Sequence, residues 1–534
     1  MNLENLQKID DFAAKHKWVS TMPALAYAMV VVPFIYRNTL GEIDLSQMAF
    51  AIIHGQATGL GEAAGYHYGY PISFGYYYFI YNVAPNTVLL SSTQLIAFMN
   101  VLGCCSAIVA VALLGLYLCR LYDARVALVT TLLFAFSPMY LELGTYGHPE
   151  LPAFCLLLLG AYLLTFATGN KTSTAHRAVA AASAMAAILA ALCVRSDVLL
   201  ALPFLAIARR GKSDTIRAYV QDMLPRVVPI IAAALGFFVL QRIILTSFGT
   251  SGHTELMQYL ASADDLGATK KALVIIVFGT GIASVILCAF VIVMRRLRPL
   301  GIVDALAIGS MVLLSVVLWL PNPAPARHFL FVSLAVALVI GLGFAQRASL
   351  SLLLAVGILT PAANQALAEL FYPAVIAKYD WAYYRPPTER RATRAVPMGF
   401  FVRDHRANQM NFTRLRNEGI ALAQACDSQR RALVFADEPY YYLMALAERD
   451  STLQLNTVEP ELGARVVHAK GKLCETAVVS KYMAWPQDVV PRFLADSKYE
   501  GWHAYFQEST RGLSDRTQIP TDRLIRLSNP STTN

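Results

Sequence analysis

Two carboxylates stand close together in the stretch GEIDLSQ, Glu42 and Asp44. Acidic side chains are scarce in the apolar two thirds of the chain around them, so this spacing points to proton chemistry. A carboxylate held beside a hydroxyl takes its proton as the oxygen attacks. If the leaving group is a phosphate, cations complete the set, and the planar fork of arginine matches phosphate oxygens. Arg195 lies beside Asp197 in VRSDVLLALP, and Arg327 and His328 lie in the proline-rich PNPAPARHFLF. Glu142, His148 and Glu150 gather in LELGTYGHPELP, and His67 and Tyr70 in the aromatic GYHYGYPISFGYYYFIY. A sugar carried on a polyprenyl phosphate asks for little more. The phosphate leaves as a stabilised anion without a general acid, so a carboxylate base, one or two arginines and a lipid-facing groove suffice.

Each residue also has a plainer reading. Asp44 followed by Gln47 is close to a capping box, and a helix N-cap accounts for it. An oxygen that accepts cap bonds loses basicity. Residues two apart do not share a helix face, so only one of Glu42 and Asp44 is expected to meet substrate, with Asp44 favoured. Arg327 also fits an interface arginine that snorkels, and Arg195 and Asp197 also fit a pair that satisfies itself. The tyrosines suit an aromatic belt, and a loop flanked by proline can present His148 and Glu150 simply to solvent. His54, His67, His148, His253 and His328 are half of the 10 histidines and fall on one face. A divalent metal is conceivable there, but none of them has the HExxH spacing, so no metal ligand is assigned. No cofactor is expected beyond the lipid-linked donor.

The elements that must position these residues follow from composition. The chain has 534 residues, 56% hydrophobic and 15% charged, with a mean hydropathy of +0.48. Soluble domains hold about 45–50% apolar and about 25% charged residues. This is an integral membrane protein by composition. The apolar excess runs from about residue 18 to 371, after which charge and proline return to ordinary levels. Two domains are expected: residues 1–371 in the membrane, with a long first outer loop over 37–86, and a C-terminal domain over 372–534.

About eleven stretches approach the roughly 20 apolar residues that a spanning helix needs. They are 18–36, 87–118, 126–142, 149–168, 177–194, 196–208, 227–247, 272–294, 301–320, 327–345 and 349–371, the sixth short enough to be half of a broken pair. Alternate loops hold about sixteen Lys and Arg against about five in the others, which marks the cytoplasmic side. The N-terminus is therefore expected in the cytoplasm and, with an odd number of spans, the C-terminal domain in the periplasm or outside. The formal charge of +9 sits in short loops, which fits anchoring to the bilayer and not a nucleic-acid partner. No cleavable signal peptide is expected.

On the outer side, DLSQMAFAIIHGQ (44–56) reads as an amphipathic helix with Leu45, Met48, Ala49, Ile52 and Ile53 in one stripe, lying flat on the membrane. The C-terminal region alternates, with strands over 431–437, 476–482 and 522–528 and helices over 438–449 and 488–500, so a small α/β domain is expected. It has no Gly-rich phosphate loop and no nucleophile elbow. Cys426 and Cys474 lie there and could pair outside the cytoplasm, or stay as two free buried thiols.

The order of elements resembles the GT-C class of membrane glycosyltransferases, the superfamily of protein O-mannosyltransferases and the lipid A aminoarabinose transferase. The resemblance covers most of 1–371. EIDLSQMAFAIIHGQ followed by YGYPISFGYYY is similar to that class's acidic loop, and PAPARHFLF to the start of a late span. The resemblance implies Asp44 as catalytic base and Arg327 as a donor-phosphate ligand. Many members carry adjacent acids in this loop, whereas here Ile43 separates them. The resulting expectation is an α-helical polytopic membrane domain of about eleven spans followed by a small α/β extracytoplasmic domain. Its activity would be inverting transfer of a hexose or pentose from a polyprenyl-phosphate donor to a glycan, lipid or protein hydroxyl. The expected donor-phosphate set is Arg327, Arg195 and His328, and His148, Glu150, Tyr70 and His67 are expected to line the cavity. A transporter or lipid flippase with an outer domain, and a non-catalytic membrane assembly partner, are the competing readings. No internal repeat favours transport.

Overall fold

The computed structural model describes residues 17–41, 43–58, 75–76, 78–83, 91–167, 173–206, 216–248, 266–294, 329–344, 349–379, 402–425, 430–436, 439–457 and 466–480, with a few positions between 305 and 315. The first apolar run forms α1 (Met22–Val31), flanked by 3-10 turns at Lys17–Thr21 and Val32–Phe34. There follow α2 (Ile43–Thr58), α3 (Ser92–Leu121), α4 (Ala124–Ala135), α5 (Pro138–Leu143), α6 (Glu150–Ala167) and α7 (Thr174–Val194). A 3-10 turn over Ser196–Ala201 leads into the single-turn α8 (Leu202–Leu205). Beyond it lie α9 (Ile216–Phe248), α10 (Leu266–Thr280), α11 (Ile282–Val293), α12 (Leu330–Phe344) and α13 (Leu350–Tyr379).

Among the described residues, five helices are long and apolar enough to cross a membrane, in α3, α6, α7, α9 and α13, and the bent pair α10 and α11 makes a sixth if it is one span. The other expected spans are shorter or divided. The expected span 126–142 breaks between α4 and α5, because Pro138 has no N–H to continue the ladder, and Ser137 caps the new helix by accepting from Tyr140 N. The stretch 196–208 holds only the 3-10 turn and α8, and most of 301–320 lies outside the described residues.

Sequence-local signals set many of these helix starts. Ser91 accepts from Gln94 N, Asp123 from Val126 N at 2.8 Å and Ser173 from His176 N, each satisfying an orphan donor of the first turn. Helix α3 packs against α6, α4, α1 and α2. Its neighbours are tied by buried tyrosines whose hydroxyls find backbone partners. Tyr27 donates to Tyr140 O at 3.0 Å, Tyr140 to Ala107 O at 2.9 Å and Tyr117 to Phe204 O at 3.3 Å.

The turn between α10 and α11 bends the chain by 89°. Gly281 sits there at φ +103° and cannot cap α11 with a side chain. Asn364 of α13 does so instead: its Oδ1 accepts from Ser284 N at 3.1 Å while its Nδ2 donates to Ser284 Oγ at 2.8 Å. A helix end buried in a membrane protein needs such a partner, since no water reaches it.

The C-terminal region contains α14 (Val402–Ala425), β1 (Arg430–Ala436), α15 (Pro439–Arg449), β2 (Gln454–Thr457), β3 (Val466–Lys470) and β4 (Cys474–Ser480). The strands form one sheet in the order β1-β4-β3-β2. Strands β1 and β4 are parallel, and β3 is antiparallel to both β4 and β2. Strands β1 and β4 and helix α15 match the expected segments within two residues, whereas β2 and β3 were not expected. The expected helix 488–500 and strand 522–528 lie outside the described residues. Cys474 is disulfide-bonded, and Cys426, the other cysteine of the expected pair, lies outside the described residues. The six cysteines of the membrane part are free.

Helix α2 differs from its expectation. Burial goes beyond the apolar stripe to Ser46, Phe50 and Ala51. It does not lie open on a bilayer, because α15 packs over it while α3 lies beneath. Phe50 meets Tyr440 at 6.0 Å between ring centroids, and Tyr441 Oη accepts from Leu40 N at 3.0 Å. Glu448 accepts from Ser92 N and Arg416 donates to Thr93 Oγ1, so the C-terminal region also grips the start of α3.

Candidate active site

Among the described residues, buried charge gathers where the loop between α5 and α6 meets the end of α7. Glu150 opens α6, where the positive end of the helix dipole favours a carboxylate. Arg195 closes α7, its N–H donating to Ala191 O at 2.9 Å, where the negative end favours a cation. Helices α6 and α7 are consecutive and packed together, so these two ends meet. Arg195 Nη2 lies 3.2 Å from Glu150 Oε1, and His148 Nδ1 contacts Glu150 Oε2. All three are buried, at 9%, 5% and 2% exposure for Arg195, Glu150 and His148. The plain reading of His148 and Glu150 as solvent-facing loop residues is therefore overturned. Glu150 is thus a partner of Arg195, and the side chain of Asp197, offered by the sequence as another, lies outside the described residues. Glu142, near the end of α5, is buried as well.

The segment that follows α1 lies against this cluster. Tyr36 N donates to Thr145 O at 2.9 Å. The Tyr36 ring stands 6.1 Å from that of Tyr146, which in turn is 6.2 Å from His148. A Cβ on Gly41 would lie 2.8 Å from Tyr146 Cδ1. The chain then enters α2, with Asp44 in its first turn and not ahead of it, since the helix begins at Ile43. Helix α12 also opens nearby: Phe331, in its first turn, meets Phe154, in the second turn of α6, at 6.0 Å. Arg327 and His328 immediately precede that helix but lie outside the described residues, as do Glu42, His67 and Tyr70.

The structure thus brings His148, Glu150 and Arg195 together and sets the entry to the Asp44 helix beside them. Three supporting residues did not emerge from the sequence: Asn100, Tyr36 and Tyr76. Asn100 had one available signal, a carboxamide inside the apolar run QLIAFMNVLGCC. Among the described residues no three His, Cys, Asp or Glu side chains gather as a metal site.

No family model and no curated protein matches the chain. Two solved structures are similar to it, both of ArnT from Cupriavidus metallidurans. The crystal structure bound to undecaprenyl phosphate is 14% identical, with a TM-score of 0.48 over 78% of this chain and 84% of that one. The apo crystal structure is 14% identical, with a TM-score of 0.45 over 78% and 83%. At these values the fold and activity of this chain rest on its own residues.

Proposed function

We propose that the chain is a membrane glycosyltransferase that moves a sugar from a polyprenyl-phosphate donor to a hydroxyl acceptor at the outer face. The observation that carries this is the buried His148–Glu150–Arg195 cluster set beside the entry to the Asp44 helix. Buried charges are costly and gather where they serve chemistry or binding.

In the proposed step the acceptor oxygen attacks the sugar's anomeric carbon. The bond from that carbon to the phosphate oxygen breaks, its electron pair leaves with the phosphate, and the hydroxyl proton passes to Asp44. One displacement inverts the anomeric centre. Asp44 stands in the first turn of α2, the helix whose entry adjoins the cluster. Glu42 is the lesser acid of the same loop. Arg327 and His328 receive the phosphate, with Arg195 held in place by Glu150 for the same task. His148, Glu150, His67 and Tyr70 line the cavity.

The distribution of Lys and Arg puts the N-terminus in the cytoplasm. The disulfide at Cys474 suits an oxidising compartment for the C-terminal domain, residues 372–534. That domain covers α2 and so shapes acceptor access. A second reading, transport or lipid flipping, is favoured by one feature, the broken pair α10 and α11 at Gly281.

Asp44→Asn separates the two. In proteoliposomes carrying labelled polyprenyl-phosphate sugars, transfer is expected to fall by about 100-fold or more, in the upper part of the range for general base catalysis, with donor binding retained. Wild-type transfer in the variant would remove Asp44 from the mechanism, and movement of the intact donor without transfer would support transport.

A further inference from the structure

Asn100 lies in the third turn of α3 with its side chain fully buried. A carboxamide has two donor hydrogens and an acceptor oxygen, and burying any of them unpaired is costly. Here all are used, and none goes to another span. Nδ2 donates to Tyr36 O at 2.8 Å and to Thr39 O at 3.0 Å, and Oδ1 accepts from Gly147 N at 3.0 Å. The first two acceptors belong to the segment that leads into the Asp44 helix. The third partner is the residue before His148. One side chain therefore holds both loops of the candidate site.

Two further contacts fix the same junction. Tyr36 N donates to Thr145 O at 2.9 Å, and Tyr76 Oη donates to Gly147 O at 2.8 Å. Gly147 lies so close to α3 that a Cβ there would stand 2.2 Å from Met99 O. The loop thus rests on the backbone of α3, and Asn100 sets its height and register.

We propose that Asn100 is a positioning residue for the transfer reaction, fixing the Asp44-bearing segment relative to the His148–Glu150–Arg195 cluster. This rests on the glycosyltransferase reading above. Asn100→Asp is the informative variant. It keeps the shape and the acceptor for Gly147 N, but it replaces both donors to Tyr36 O and Thr39 O with oxygen. The Asp44 segment should loosen while the spans stay packed. Misplacement of about 1 Å can cost about 100-fold in rate, so kcat should fall by about 10- to 100-fold while the KM for the donor stays within about threefold. Tyr76→Phe releases only one contact, on the His148 side, and should give a smaller fall in kcat. Asn364→Asp is the control, a buried carboxamide in α13 far along the chain, which should lower thermal stability without changing kcat.

Hydrogen exchange on the full chain in nanodiscs gives a second readout that does not depend on activity. Asn100→Asp should speed exchange over residues 36–45, whereas Asn364→Asp should leave that segment unchanged. Wild-type exchange there, or a lost Tm with an unchanged kcat, would overturn the proposal. A wild-type protein that transfers no sugar from polyprenyl-phosphate hexoses or pentoses would sink the glycosyltransferase reading. In that case the exchange result still decides whether Asn100 holds the loops.

Discussion

At the scale of single residues, Glu150 is the centre of the site's electrostatics, because it faces both Arg195 and His148. Removing one partner of a buried pair strands the other charge, at about 3–5 kcal/mol. Glu150→Gln should therefore lower Tm markedly, and adding Arg195→Met should recover part of the loss. A double-mutant cycle by thermal unfolding in detergent checks this, and strictly additive effects would deny the coupling. Residue types and their placement in the sequence pointed to His148, Glu150 and Arg195. Their pairing was not legible, because it needs α6 and α7 side by side. Asn100 stayed hidden because one carboxamide barely alters the hydropathy of a 30-residue helix.

Asp450 gives a pH dependence outside the spans. Burial pushes its carboxyl up, but bonds from the Thr452 hydroxyl and from the backbone N–H groups of Leu473, Thr452 and Lys472 outweigh that and hold it below the ordinary value. The Thr452 hydroxyl donates at 2.6 Å and Leu473 N at 2.9 Å. A lowered folded value means the stabilisation is present above the unfolded pKa, about 3.9, and is lost as pH falls through the folded value. Acid unfolding of the C-terminal region, followed by tryptophan fluorescence, should lose part of its steepness in Asp450→Asn. An identical acid transition in the variant would contradict this.

At the scale of elements, the break between α10 and α11 depends on a glycine and a partner in another helix. Gly281 combines φ +103° with an Asn364 side chain that would stand 2.2 Å from an added Cβ. Gly281→Ala should cost about 1–3 kcal/mol in backbone strain alone, more with the clash, and show as a lower Tm. A neutral Gly281→Ala would mean that the bend is not fixed. Helix α2 shows what local pattern can and cannot carry. Its apolar stripe announced a helix over 44–56, and Ile43–Thr58 forms one. Its cover is α15, hundreds of residues away in sequence, and periodicity holds no record of such a contact. The same limit applies to 126–142, where uniform apolarity masked the break at Pro138.

At the scale of the whole molecule, the C-terminal region packs on one side of the segment between α1 and α2, and helix α3 holds its other side. Tyr441 reaches Leu40, Glu448 reaches Ser92 and the ring of His405 lies 4.5 Å from that of Tyr36. The segment entering the Asp44 helix is thus clamped between α3 and the C-terminal helices, which suits a site that must exclude water while admitting a lipid-linked sugar. The central claim is that the chain cleaves the sugar–phosphate bond of such a donor. The most direct measurement incubates the purified protein in nanodiscs with polyprenyl-phosphate sugars and a pool of membrane lipid, glycan and protein acceptors, and follows the products by mass spectrometry and the anomeric centre by NMR. The account predicts release of polyprenyl monophosphate matched by glycosylated acceptor of inverted configuration. Intact donor with no glycosylated product, whether or not it has crossed the bilayer, would contradict it.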